Sequence, residues 1–249
     1  MMHQNPIEVL SRSLGRTEKN IIELVDEAIK CKSFFQCFAY DHEETAQLFM
    51  KNKVLLALKL SLKYLLCAGS HNFKVKVKFR LFQYFTWKQI DFGNSSRFRL
   101  LKEIRRRIYS LFASRIFCNL RKAVGWDISP FTIIEKGFWN NAELMNVTAT
   151  ALSRIGKNVC ISNGVTLVAG SSNKEGQVRL PNINEGAIIW TGAVIVGAKI
   201  GKHAVVGANS VVLQDVPDNA TVLGSPAKVV FIKPSGTVKA VMDCSPHAN

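Results

Sequence analysis

Residues 196–212 read VGAKIGKHAVVGANSVV, and this stretch decides the fold class. Apolar residues recur every six positions, at Ile200, Val206 and Val212, with a glycine directly after the first two. A spacing of six fits neither an α-helix, with about 3.6 residues per turn, nor a strand, whose faces alternate at every residue. Six residues make one short strand and one corner, and three such units close a triangular coil with the aliphatic residues inside. The stretch therefore indicates a stacked β-solenoid.

The same spacing continues on the N-terminal side. Further series with six-residue steps are Ile183–Ile189–Ile195, Ile155–Ile161–Leu167 and, at the start, Ile128–Ile134. A single step of five joins Ile195 to Ile200. Glycine, asparagine or alanine falls at the corners, where a positive φ or a close backbone approach is needed. Because separate series keep one register, chance spacing between ordinary strands is the weaker explanation.

Composition narrows the class of protein. With 47% hydrophobic and 20% charged residues among 249, the chain is expected to be globular rather than disordered. The six cysteines are scattered without a C-x-x-C pair, which argues against a zinc site or a disulfide framework. The polar N-terminus does not resemble a secretory signal. Reduced thiols in a cytoplasmic protein without a bound metal are therefore expected.

The positive charge is concentrated in one block. The chain carries a net charge of +15, and residues 51–125 contain 18 Lys and Arg against two acids. The apolar run 51–69 is interrupted by four lysines, so it does not qualify as a membrane-spanning helix. A basic segment with aromatic residues suits the surface of an anionic membrane, which predicts peripheral contact at the inner face of the membrane through residues 51–125. A solvated surface is the alternative, and no nucleic-acid-binding module is recognised.

The spacing of the apolar residues divides the chain into three regions. Apolar residues at three- and four-residue spacing predict helices in residues 1–70. A strongly amphipathic helix is predicted over residues 97–124, with Gly125 as its C-terminal stop. The predicted domains are a basic helical domain over residues 1–125, a solenoid over residues 126–232 and a tail over 233–249.

From about Asp127 to Val230 the chain resembles the hexapeptide-repeat acyltransferases, in particular serine acetyltransferases and surface-polysaccharide O-acetyltransferases. The matching motifs are DISP at residues 127–130, IGKNVCISNGVTL, and GANSVVLQDVPDNATVLGSPAKVV. The resemblance alone implies the left hand, since ordinary crossovers are right-handed. The expected fold class is thus α+β, an N-terminal helical domain followed by a C-terminal left-handed parallel β-helix. The resemblance also implies a homotrimer that uses acetyl-CoA as its acyl donor.

In this family acetyl-CoA lies in a groove between neighbouring prisms, where backbone groups of small residues line its pantetheine arm. The matching positions here are Thr191, Gly192, Ala193, Gly207 and Ala208, and Lys228 matches a lysine near the phosphate end. Trp190 stands where the family usually has glycine. At each position with a small residue, the turn at a solenoid corner would require one even without a cofactor. The loop over residues 168–182 is expected to project, either over the acceptor site as in the family or as a tolerated surface insertion.

A hydroxyl acceptor is a poor nucleophile and needs a general base, usually a histidine. The relatives carry this histidine twelve residues before the position of Ile155, which is Glu143 here, or Ala142 with an offset of one. Their second histidine corresponds to Leu180, before Pro181. The serine-binding aspartate beside the first histidine is missing as well.

Three hypotheses follow. Glu143 is itself the base, because desolvation between subunits raises the pKa of a carboxylate. Alternatively, His203 enters the groove from another coil, although a lone corner histidine is more often a surface residue. In the third hypothesis the chain is a catalytically degenerate trimeric binding or scaffold module. The sequence favours an O-acetyltransferase acting on L-serine or a glycan sugar, and the missing histidines and aspartate point away from serine, whereas the long helical lead resembles the serine enzymes.

Overall fold

The computed structural model describes residues 6–28, 71–90, 99–137, 146–172 and 176–232. These residues divide into two compact units. Residues 6–28 and 124–232 belong to one unit, which contains helices α1 (Pro6–Leu14) and α2 (Glu18–Ala28) and all described strands. Residues 71–90 and 99–123 belong to the other, which contains helices α3 (His71–Ile90) and most of α4 (Arg99–Val124). In this division α1 and α2 belong with the strands, and the domain border at residue 125 stays a prediction.

Fourteen short strands of the described chain make three sheets. Sheet A contains, in spatial order, β1 (Asp127–Ile128), β3 (Thr148–Ala149), β6 (Thr166–Val168), β9 (Val194–Val196) and β12 (Val211–Val212). Sheet B contains β2 (Ile133–Ile134), β4 (Arg154–Ile155), β7 (Asn182–Ile183) and β10 (Lys199–Ile200). Sheet C contains β5 (Cys160–Ile161), β8 (Ile188–Ile189), β11 (Val205–Val206), β13 (Ala220–Gly224) and β14 (Ala227–Ile232). Neighbouring strands are parallel except β13 and β14, which are antiparallel.

The interior of this prism is the predicted six-residue series. Its buried members are Ile128, Ile134, Ile155, Ile161, Leu167, Ile183, Ile189, Ile195, Ile200, Val206 and Val212. None of these side chains is more than 3% exposed. Burying one such side chain stabilises the fold by about 1.5–3 kcal/mol, and each contacts mainly the coils above and below it. The predicted fold class, helices followed by a left-handed parallel β-helix, is confirmed.

Columns of residues with left-handed backbone form two of the three corners. The corner between sheets B and C contains Gly137, Asn158, Gly186, His203 and Asn219, with φ between 52° and 73°. The corner between sheets C and A contains Gly125, Asn146, Gly164, Gly192 and Asn209, with φ between 53° and 71°. Glycine and asparagine tolerate this conformation best. A Cβ atom on Gly192 would overlap Oδ1 of Asn209. The asparagine side chain therefore fills the space that the glycine leaves in the preceding coil.

The third corner, between sheets A and B, varies in length. After β6 the chain makes an insertion in which Gly170 N–H donates to Arg179 O at 2.8 Å and Ser172 bridges Val178 antiparallel. The described parts of the insertion, residues 169–172 and 176–181, therefore pair as two antiparallel arms, hereafter the 169–181 hairpin. In the next coil a Cβ on Gly197 would lie 2.7 Å from Gly170 N. The base of the hairpin therefore packs directly on the corner at which the repeat takes its step of five.

Helices α1 and α2 pack against the solenoid. The Arg154 guanidinium of β4 donates to Glu27 of α2 at 2.5 Å. Val178 N–H in the hairpin donates to Leu14 O at the end of α1, at 3.2 Å. The turn between the two helices contains Gly15, with φ 62°, where a Cβ would overlap Gly176 O. The N-terminal helices α1 and α2 thus contact both a face of the prism and the hairpin.

The α3–α4 pair forms around aromatic side chains. Phe82 stacks on Phe117 with ring centroids 5.2 Å apart, and Phe85 on Phe112 at 5.3 Å. Helix α4 ends where predicted, because Gly125 takes φ 65° as its stop. Within the described helices, none has the length and apolar content needed to cross a membrane. The lysine-interrupted run 51–69 lies outside the described residues.

Candidate functional site

Two stacked turns at the corner between sheets C and A contain most of the predicted cofactor positions. Asn209 N–H donates to Thr191 O at 2.9 Å, and Trp190 N–H donates to Val206 O at 3.0 Å. These bonds place Thr191 and Ala208 one above the other in successive coils, with both residues exposed. Two residues 17 positions apart in sequence thereby share one solvent-facing edge.

This edge presents backbone groups that the fold does not use. Within the described part of the chain, the N–H of Thr191 and both the N–H and C=O of Ala208 have no protein hydrogen-bond partner. In contrast, Gly192 N–H donates to Asn163 O at 2.9 Å. Ala193 donates to Trp190 O and accepts from Thr166 N, at 3.2 and 3.0 Å. Thr191 and Ala208 therefore offer unused N–H donors on this edge, and Ala208 also offers an unused C=O acceptor.

The edge continues to the end of the solenoid. A Cβ on Gly207 would overlap the Leu223 side chain, which covers this glycine from the next coil. Leu223 lies opposite Lys228 across the β13–β14 pair, and Lys228 is exposed. Since adjacent strands are about 4.8 Å apart, the backbone of Lys228 lies roughly 10 Å from that of Gly207. A cation is thus available at one end of the same edge.

Three of the six predicted cofactor residues have structural roles. The Ala193 side chain points into the prism and is 0% exposed, so it cannot contact a ligand on the outside. Gly192 makes room for Asn209, and Gly207 makes room for Leu223. The corner alone explains these small residues, and the cofactor-binding assignment of the whole set stays a prediction.

The structure describes the chain on either side of the predicted catalytic residue. Glu143, with its alternative Ala142, lies outside the described residues. The described chain resumes at Asn146, three positions after Glu143 and in the same corner column as Gly192. Leu180 is half-buried, so the position of the second family histidine provides no titratable group.

His203 lies at a different corner. It has φ 54° in the column between sheets B and C, and a Cβ on Gly186 would overlap its imidazole ring. The histidine therefore takes the place of an asparagine in the column, over the glycine of the preceding coil. It is not on the edge formed by Thr191 and Ala208, so the hypothesis that it is the base gains no support.

Sequence reasoning missed the group that anchors the hairpin. Arg179 donates to Asp215 Oδ1 at 2.6 Å, and the same oxygen accepts from Lys199 N–H at 2.9 Å. One carboxylate thus ties the hairpin to two later coils. These partners are 36 and 16 positions apart, outside any repeat spacing. Within the described residues no cluster of three or more His, Cys, Asp or Glu suits a metal ion.

No protein-family model matches the chain. A serine acetyltransferase of Bacillus pumilus is 41% identical over 128 residues, which are 51% of this chain and 57% of that protein. A solved serine acetyltransferase in complex with CoA is 27% identical, with a TM-score of 0.51, and covers 86% of this chain and 77% of its own. A soybean serine acetyltransferase complexed with serine is also 27% identical, with a TM-score of 0.50 and coverages of 87% and 77%.

The chain spans about half the length of the curated relatives it matches. The sequence match of 51% of the chain is close to the extent of the solenoid, whereas the structural match also reaches into the helices. Repeat spacing, strand topology and both kinds of comparison thus agree. The chain contains a left-handed parallel β-helix similar to that of the hexapeptide-repeat acyltransferases of the serine acetyltransferase type.

Proposed function

We propose that this chain transfers the acetyl group of acetyl-CoA to the hydroxyl of L-serine. In the overall reaction an ester C–O bond forms, the thioester C–S bond breaks, and the hydroxyl proton ends on the CoA thiol. The names of the relatives support serine as acceptor. They give no support to the glycan acceptor or to the scaffold role, so they outweigh the preference against serine that the missing histidines suggested.

The observation that carries this proposal is the stacked pair of turns at Thr191 and Ala208. A pantetheine arm contains two amides, which need both donors and acceptors, and these turns present unused N–H and C=O groups on an exposed edge. Lys228, about two strand spacings further on, suits phosphate groups as a point charge. These residues fit acetyl-CoA, which supplies the acetyl group in activated form as a thioester.

We assign the general base to Glu143. The serine hydroxyl is nearly un-ionised near neutral pH, so a base must accept its proton as the new bond forms. Glu143 occupies the position that the resemblance gives to a histidine, three residues from Asn146 in the corner column that includes Gly192. A carboxylate removed from water has a raised pKa, which makes it a stronger base.

The proposal includes a homotrimer located in the cytoplasm. The resemblance places the donor groove between neighbouring prisms, so a lone subunit would have only one wall of it. Light scattering should give three times the chain mass of 27.7 kDa. A mass equal to one chain, in protein that still turns over, would contradict the trimer. Peripheral contact with an anionic membrane through residues 51–125 is part of the same proposal.

A thiol-release assay tests the reaction. Purified protein with acetyl-CoA should release free thiol when L-serine is added, and CoA should raise the melting temperature by binding the folded state. Release with sugars in place of serine would favour the glycan acceptor. No release with either acceptor and no thermal shift by CoA would favour the scaffold role.

The base is tested by Glu143→Gln, which keeps the size of the side chain and removes its basicity. We expect turnover to fall at least about 100-fold with an unchanged thermal shift by CoA. Glu185→Gln is the matched control, because Glu185 is an exposed corner glutamate, and it should keep normal turnover. Unchanged turnover in Glu143→Gln would eliminate the assignment.

A further inference from the structure

Helix α4 has an apolar face that the described chain leaves in contact with solvent. The exposed side chains on it, with their exposed fractions, are Ile104 (48%), Ile108 (45%), Leu111 (71%) and Phe112 (53%). Steps of four, three and one residue place them on one side of the helix. Ala113, Leu120 and Val124 are buried on the opposite side, at most 4% exposed. Packing within the described residues therefore accounts for one apolar side of α4 and not for the other.

Basic residues surround this exposed face. Helix α4 contains eight Lys and Arg and one acid, and helix α3 contains five Lys and Arg and no acid. Arg115 lies one turn after Leu111 on the same face, and Arg107 and Lys122 are exposed. The face thus combines apolar contact area with a large excess of positive charge.

One aromatic residue of α3, Phe85, extends the same surface. Phe112 stacks on Phe85 with ring centroids 5.3 Å apart, which joins the exposed face to α3. On a different side of the same helix, the ammonium of Lys88 lies 4.2 Å from the ring centroid of Trp87, and both residues are half-buried. Aromatic rings with a polar edge and long cationic side chains are enriched at the membrane–water interface. The composition of this surface is typical of interfacial helices.

We propose that this face of α4, with the adjoining Phe85 of α3, docks on an anionic phospholipid surface. A lipid interface takes up the apolar side chains and neutralises the basic ones in a single geometry. A second copy of α4 would bring two helices of net charge +7 together. A nucleic acid would neutralise the charge and leave four large apolar side chains in water. This inference rests on the peripheral membrane contact proposed above for residues 51–125 and narrows it to one face of α4; the docking itself needs no acetyl transfer.

Cosedimentation of the full chain with vesicles tests this proposal. The protein should bind vesicles containing phosphatidylglycerol more tightly than vesicles of phosphatidylcholine alone, and added salt should weaken the binding. Leu111→Asp should lower the affinity for the anionic vesicles at least about tenfold, because it removes apolar burial and adds a repelled charge. Ile22→Asp is the matched control, since Ile22 is 53% exposed on α2, and it should stay within about twofold of wild type.

The variants separate the alternatives. If the far-UV spectrum of Leu111→Asp differs from that of wild type, Ile108→Gln replaces it as the test. Ile108→Gln should also weaken binding to the anionic vesicles. The docking role is overturned if these variants bind normally, or if Ile22→Asp loses as much affinity. It is also overturned if vesicles do not bind while Leu111→Asp splits an oligomer or weakens binding to nucleic acid. Thiol release in Leu111→Asp should match wild type, so failure of this proposal and of the catalytic one remain distinguishable.

Discussion

Replacing Gly192 by alanine tests whether asparagine side chains that pack against glycines of the preceding coil stabilise the solenoid. Gly192 has φ 71°, and a non-glycine residue in this region costs about 1–2 kcal/mol. The added Cβ also overlaps Oδ1 of Asn209, so this amide must leave its position. Displacement of a packed side chain adds about 1–3 kcal/mol. The free energy of unfolding should therefore fall by about 2–5 kcal/mol.

Gly164→Ala is the matched control, because only the backbone part of the cost applies there. Gly164 has φ 70°, and the atom nearest to its added Cβ is Gly192 N at 3.7 Å, an ordinary contact. Urea unfolding of the full chain, followed by far-UV circular dichroism, should show a loss of about 1–2 kcal/mol. The double variant with Gly192→Ala and Asn209→Gly should lose only about as much unfolding free energy as Gly164→Ala does. Equal losses in the two single variants, or no recovery in the double variant, would refute the packing role of Asn209.

Three further changes probe other parts of the molecule. His203→Asn should keep stability and turnover, because asparagine suits this left-handed corner; loss of turnover with the fold intact would instead support His203 as the base. Ile189→Ala should cost about 2–5 kcal/mol of unfolding free energy, and Leu213→Ala, 48% exposed, about 0.5 kcal/mol at most; similar melting temperatures would contradict this. Asp215→Asn should change stability by no more than about 1 kcal/mol, yet speed proteolysis of the hairpin that Arg179 anchors; an unchanged cleavage rate would argue against the anchor.

The interior of the solenoid was predictable because its contacts repeat along the chain. Each aliphatic residue meets its counterparts in adjacent coils, so a period of six in sequence becomes a stack in space. The pairing of Thr191 with Ala208 follows from the same repeat. The structural role of His203 does not follow from the repeat. It depends on the contact with Gly186 in the preceding coil and on a positive φ that the identity of the residue does not reveal.

Contacts outside the repeat were not predictable. The bond from Arg154 to Glu27 joins residues 127 positions apart, and nothing in the spacing relates them. The division of the helices between two units depends on such contacts. For α4 the spacing of the apolar residues predicted a helix. It could not assign one apolar side to the core and the other to solvent, because spacing does not show which side packs against another element. Glu143 rests on the resemblance alone.

The reversal of direction at β14 has a consequence for how the solenoid can grow. Every earlier strand offers its neighbour a parallel edge, so coils could in principle stack from one molecule to the next into a filament. At the end of sheet C the final strand runs antiparallel, and its edge no longer matches the first coil of another molecule. A designer who wished to lengthen the prism would therefore insert new coils before β13 rather than append them, since β14 ends sheet C with an antiparallel strand.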